Sequence, residues 1–212
     1  VKVVVLGATG GTGRAAVHRA LNNGHQVVAV VRRPAALATD HPRLRVVGGD
    51  VLDPAALLEP VAGADAVVSA LGIGYSRAAT TVYSAGTANV IAAMRAGGVR
   101  RLAVVSTTSM APPPWSAPVQ SLLVRGLLHP MLRRPYADMR LMEQHVRDSG
   151  LDWTLIRAAR LTDGRAAERR PRTAVDGRLP GAWSVSRGDL AAYLLDSIDN
   201  PAVVGRTVEI AY

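Results

Sequence analysis

The sequence predicts an α/β fold, a doubly wound parallel sheet with helices on both faces. Three observations predict it. Short β-branched runs alternate with helix-like stretches from the first residue onward. Glycine closes those stretches, as at Asn23-Gly24 and Gly97-Gly98. The first run feeds straight into a glycine-rich turn, Gly7-Ala8-Thr9-Gly10-Gly11-Thr12-Gly13. With 212 residues, 49% of them hydrophobic, the chain can bury the core this fold needs. It is expected to form one domain over 1–212, with the part from about 110 onward supplying a substrate cleft.

The elements follow in order. Residues 1–6 form a buried strand and 14–22 a helix. Strands follow at 26–31 and 44–47. A short helix at 54–61 is opened by Asp53 and Pro54. Residues 66–71 form a fourth strand, 80–95 a long helix and 102–106 a fifth strand. Then the pattern loosens. Residues 110–118 are a proline-rich loop, and 119–131 are an apolar stretch suited to a lid helix. Residues 136–149 form a helix and 153–156 a sixth strand. Residues 157–181 read as mostly irregular, with a short strand near 173–175. Ser186-x-x-Asp189 is a capping box opening a helix over 186–198, and 207–211 is the last strand.

Composition narrows the chemistry. Cysteine is absent, which removes disulfides, thiol nucleophiles and thiolate-bound metal and fits a reducing cytoplasm. The first strand is too short for a signal peptide, and no apolar run approaches a membrane span, so no membrane role is expected. The net charge of +9 is almost all arginine, Lys2 being the only lysine. Those cations are scattered and few aromatics are available to stack on bases, so no nucleic-acid role is expected. A basic surface would still steer an anionic ligand. His18, His25, His41, His129 and His145 lack metal-ligand spacing, and no Gly-x-Ser-x-Gly elbow is present.

The glycine turn carries the most specific signal. Its spacing is G-x-x-G-x-x-G, placed between strand and helix as a Rossmann-type dinucleotide site requires. Gly7 permits the turn out of the strand, Gly10 clears space for a diphosphate, and Gly13 lets the helix pack on the sheet. The helix N-terminus, with Gly11, offers amides and partial positive charge to the phosphates. Thr9 and Thr12 can add hydroxyl donors. An NTPase loop would end in Gly-Lys-Ser/Thr, and here Gly13 precedes Arg14.

The second strand ends in Arg32-Arg33-Pro34, where an NAD site carries an acid for the ribose 2′-hydroxyl. A guanidinium suits a 2′-phosphate, so NADP(H) is the expected cofactor, with Arg32 the first contact and Arg33 the second. Asp50 is placed to accept from the adenine amino group. Gly72 keeps the backbone close to the dinucleotide.

These residues resemble the atypical short-chain dehydrogenase/reductase family with an NAD(P)H-binding fold, in particular its biliverdin-IXβ reductase/flavin reductase group. The likeness runs through Gly7–Gly13, Arg32, Gly49-Asp50-Val51-Leu52, Leu71-Gly72, the helix over 80–97 and Ser149-Gly150-Leu151. It continues through Asp176-Gly177-Arg178 and Ser186-x-x-Asp189-Leu190. It implies NADPH-dependent reduction of a small planar conjugated acceptor, such as a flavin or tetrapyrrole, with Val51 and Leu71 beside the cofactor. By the same resemblance Thr107 lines the active site and Arg160, in a loop after the sixth strand, meets a phosphate or propionate of the acceptor. Tyr136 and Arg140 fall where the wider family has its Tyr-x-x-x-Lys pair, with arginine in place of lysine. Trp115 is positioned to stack on a planar ligand or to anchor its loop. Two other readings stand beside this one: a non-catalytic NADP sensor like the NmrA-like regulators, and a carbonyl reductase or epimerase-like enzyme. The oligomeric state is unknown from sequence.

Overall fold

The computed structural model describes residues 1–74, 76–110, 126, 129–164 and 170–212. Eight strands form one sheet in the order β3-β2-β1-β4-β5-β6-β10-β8. They are β1 (Lys2–Leu6), β2 (Gln26–Val31), β3 (Leu44–Gly48), β4 (Ala66–Ser69), β5 (Arg101–Thr107), β6 (Asp152–Ala158), β8 (Arg172–Val175) and β10 (Arg206–Ala211). All neighbours pair in parallel except β8, which runs antiparallel to β10. The order reverses between β1 and β4, which puts the carboxyl ends of those strands at the crevice where such folds bind ligands.

Helices cover both faces because the inner strands are apolar on both sides. In β1, Val4 and Leu6 enter one core and Val3 and Val5 the other. The first core lies under α2 (Ala55–Val61), α3 (Ser84–Ala96) and α4 (His129–Arg147). The second lies under α1 (Gly11–Asn22) and α5 (Arg187–Asp196).

Three expectations need correction. The helix expected over 80–95 begins at Ser84, because the Thr80 hydroxyl accepts from Val82 N in a local turn and Asp138 takes the Tyr83 and Ser84 amides. The helix expected over 136–149 begins at His129; Pro135 reads as a breaker but lies inside the helix. The stretch 157–181 is more ordered than expected. Arg157 and Ala158 end β6, and β7 (Arg160–Thr162) pairs in parallel with β9 (Ser184–Ser186). Arg160 therefore sits on a strand, not in a loop. Such three-residue strands are too short to show a period in sequence. The strand near 173–175 is present as β8. Trp115 and most of 119–131 lie outside the described residues.

Candidate active site

The site begins at the β1–α1 turn. Gly7 has φ +72°, and a Cβ there would lie 2.3 Å from the Ala70 carbonyl oxygen. A Cβ on Gly13 would lie 2.1 Å from the Gly7 carbonyl oxygen. These two glycines let turn, helix and β4 pack together. Gly10 differs: its Cβ would meet only the Gly7 carbonyl oxygen, at 3.3 Å. Thr9, Gly10 and Gly11 are exposed, while Thr12 and Gly13 are buried. Gly10 is the N-cap of α1 with no side-chain cap, and the first turn holds no acid. An open helix terminus of this kind fits a diphosphate by its amides and its dipole.

Arg32 and Arg33 follow β2 and are exposed. Arg14, on the first turn of α1, donates from Nη2 to the Ala36 carbonyl at 2.9 Å. That bond holds a third arginine beside the Arg32-Arg33-Pro34 turn, a neighbour not evident from sequence spacing. Asp50 is half-buried and its Oδ1 accepts from Leu52 N at 3.0 Å, fixing the turn through Val51. Val51 is buried, and its carbonyl accepts from Asn89 Nδ2 on α3 at 3.0 Å. β4 ends at Ser69, so Leu71 and Gly72 lie in the segment beyond it, Leu71 half-buried and Gly72 exposed.

The hydroxyl run at the end of β5 is divided among three tasks. Ser106 is buried and donates to Glu143 Oε1 at 2.7 Å. Thr107 Oγ1 donates to Ser109 Oγ at 3.3 Å, with the Ala158 carbonyl at 3.5 Å, and accepts from Ser109 N at 3.3 Å. Ser109 hydrogen-bonds the hydroxyl of Tyr136. The structure thus brings Ser109, which sequence reasoning missed, to the tyrosine, and sets Thr107 one hydroxyl further back. Tyr136 is 6% exposed. Burial pushes its phenol above its ordinary pKa, against the opposing pull of Ser109 and the Arg140 charge. Arg140 lies one turn on, exposed, and its Nη2 donates to the Met110 carbonyl at 3.2 Å.

Glu143 anchors α4 beneath this group. It is 2% exposed and accepts from Ser106, from both Nε and Nη2 of Arg157 at 2.9 and 2.6 Å, and from Arg147 Nη2 at 2.7 Å. Burial works to raise its pKa, but Arg157, Ser106 and Arg147 together hold the carboxyl below its ordinary value. Arg160 is exposed on β7, at the carboxyl edge of the sheet just beyond β6. Among the described residues there is no group of metal-ligating side chains, and no helix is long and apolar enough to cross a membrane.

A family model described as NAD(P)H-binding matches residues 7–201, nearly the whole chain from the glycine turn onward. The chain belongs to this NAD(P)H-binding family. The chain is 39% identical over 120 residues to the 2-alkyl-3-oxoalkanoate reductase of Stenotrophomonas maltophilia, a match covering 51% of this chain and 34% of that protein. It is 30% identical over 175 residues to an uncharacterised chloroplastic protein of Arabidopsis thaliana, 74% of this chain and 58% of that one. The matches thus span a third to three-fifths of the length of these curated relatives. In fold, the NAD(P)H-binding chain superposes on a short-chain dehydrogenase/reductase of Veillonella parvula solved with NADP. That likeness has TM-score 0.81 and 17% identity, covering 100% of this chain and 94% of that one. It also superposes on the anaerobilin reductase of Escherichia coli O157:H7, with TM-score 0.78 and 21% identity, covering 100% and 97%.

Proposed function

We propose that the protein is an NADPH-dependent reductase that passes hydride to a planar conjugated small molecule, a flavin or a tetrapyrrole, at the carboxyl edge of β5 and β6. The observation that carries the reading is the state of Tyr136. Its phenol is pushed up by burial, and the arginine in the lysine position donates to a backbone carbonyl. A phenol whose pKa burial raises is a weaker acid than a free tyrosine, with Ser109 and the Arg140 charge pulling the other way. It suits an acceptor that spreads the incoming charge over a ring better than one that makes a localised alkoxide.

Bound NADPH supplies the hydride from its nicotinamide ring. The chain does the rest. The 7–13 turn holds the diphosphate, and Arg32 with Arg33 and Arg14 hold the 2′-phosphate. Asp50, Val51, Leu71 and Gly72 border the adenosine half. Thr107, Ser109 and Tyr136 line the reacting edge, and Arg160 meets a carboxylate or phosphate of the acceptor. The preference for NADPH is supported by the arginine cluster and by the NADP found with the Veillonella protein. The tetrapyrrole class is supported by the likeness to a protein described as an anaerobilin reductase.

A second reading is ketone reduction. The Ser109–Tyr136 hydrogen bond favours it, since that pair can deliver a proton to an oxygen, as does the relative described as an oxoalkanoate reductase. NADPH oxidation across flavins, tetrapyrroles and 3-oxo acids, with wild type and Tyr136→Phe, separates the two. A planar acceptor with less than about tenfold loss in the variant supports the first. A 3-oxo acid with the ~10²–10⁴-fold loss of a positioned general acid supports the second. Tight NADPH binding with no turnover leaves the sensor.

A further inference from the structure

Gly11 is not required by the diphosphate-loop spacing, which uses Gly7, Gly10 and Gly13. The structure supplies its reason. A Cβ on Gly11 would lie 2.5 Å from Cδ and 3.0 Å from Nε of Arg187. The arginine side chain therefore lies across the first turn of α1, in space that only glycine leaves open. Arg187 is the first residue of α5, and its backbone is tightly placed. Ser186 caps the helix by accepting from Asp189 N at 3.0 Å. The Tyr212 hydroxyl donates to Asp189 and accepts from Ser186 N. The guanidinium is paired by Nη1 with Asp163 Oδ1 at 2.5 Å. Exposure of the two side chains is unequal, 23% for Arg187 and 86% for Asp163.

We propose that Arg187 is a ligand of the cofactor's diphosphate, and that Asp163 holds its guanidinium by a bond the diphosphate outcompetes. The proposal rests on reading the 7–13 turn as the diphosphate site. The partners are unequal in strength. An exposed carboxylate is a weak partner for arginine. A diphosphate brings more charge and oxygens spaced for a two-toothed contact. It would also sit against an uncapped α1 terminus whose first turn contains no acid. Arg187 and Asp163 then act on affinity with opposite signs: the arginine attracts the diphosphate, and the carboxylate repels it and competes for the guanidinium.

Calorimetric titration of the full chain with 2′-phospho-ADP-ribose, which has the diphosphate but no nicotinamide, and with 2′-AMP, which lacks the diphosphate, tests this. Wild type should bind the first more tightly. Arg187→Gln should weaken it about ten- to hundredfold and leave 2′-AMP within about twofold. Arg187→Lys should recover part of the loss. Gly11→Ala, which pushes the guanidinium aside without removing it, should show a smaller loss on the same ligand. Asp163→Asn should tighten 2′-phospho-ADP-ribose by roughly two- to fivefold. Losses of the same sign in Arg187→Gln and Asp163→Asn, or equal losses on both ligands, would overturn the proposal and leave a structural ion pair. Wild type binding both ligands alike would instead overturn the reading of the turn itself.

Discussion

α1 and α5 pack side by side on one face of the sheet, and they finish their N-termini differently. α5 closes its own: Ser186 caps it, Asp189 stands in its first turn, and Tyr212 reaches in from the end of the described chain. α1 is left open, with glycine at the cap, no side-chain partner and no acid. Each helix leaves unpaired amides at its start. In α5 the Ser186 side chain takes one, which steadies the helix by about 1 kcal/mol. In α1 no cap side chain takes any of them. The difference separates a terminus closed by its own side chains from one left open.

The contrast can be broken at graded strength. Gly13→Val puts a side chain into the Gly7 carbonyl and should cost about 3 kcal/mol or more, read as a large fall in Tm. Gly10→Val, three residues earlier, has open space by comparison. It should fold as wild type does and lose NADPH binding by more than about a hundredfold, because its side chain occupies the diphosphate position. Two unfolded variants, or two that bind, would erase the distinction between packing glycines and a ligand glycine. Arg32→Ala tests the other end of the dinucleotide. It should cut the preference for NADPH over NADH by about ten- to hundredfold in a titration with both. The smallest effect belongs to the closed terminus. Ser186→Ala should lower stability by about 1 kcal/mol, a Tm shift of roughly 2–4 °C. No shift would mean that Tyr212 and Asp189 hold α5 without the cap.

The parallel sheet was legible because its strands are buried on both faces and so read as continuous β-branched runs, as in Val3-Val4-Val5. The glycine turn was legible for a different reason: Gly7 turns with φ +72° and Gly13 meets the Gly7 carbonyl six residues back, so the spacing sits in one short run even though Gly7 also lies against Ala70. What stayed hidden depends on contacts far apart in sequence. The Ser106-Thr107-Thr108-Ser109 run offers four hydroxyls of like chemistry, and nothing local says that Ser106 serves Glu143 while Ser109 reaches Tyr136. Arg187 was masked by its own neighbours, since Ser186-x-x-Asp189 announces a cap and draws attention from the residue between. Arg14 joins the Arg32 turn only through the Ala36 carbonyl. β7 and β9 stabilise each other as a pair, and neither is long enough to show itself alone.

Asp138 lies two residues past Tyr136, on α4. Its carboxylate accepts from the Tyr83 amide at 3.0 Å, from the Ser84 amide at 3.4 Å and from the Ser84 hydroxyl. Tyr83 in turn receives Ile73 N on its phenol at 3.3 Å, directly after Leu71 and Gly72. One buried acid thus ties α4 to the start of α3 and to the segment after β4. For anyone building chimeras, the consequence is a rule of inheritance. An α4 grafted from a relative to change the acceptor must bring residue 138 matched to residues 83 and 84. Otherwise buried amides lose their acceptor at the seam, even though each fragment is native to its own parent. Through Asp138, α4 and the start of α3 are passed on as two separate stretches of chain that have to travel together.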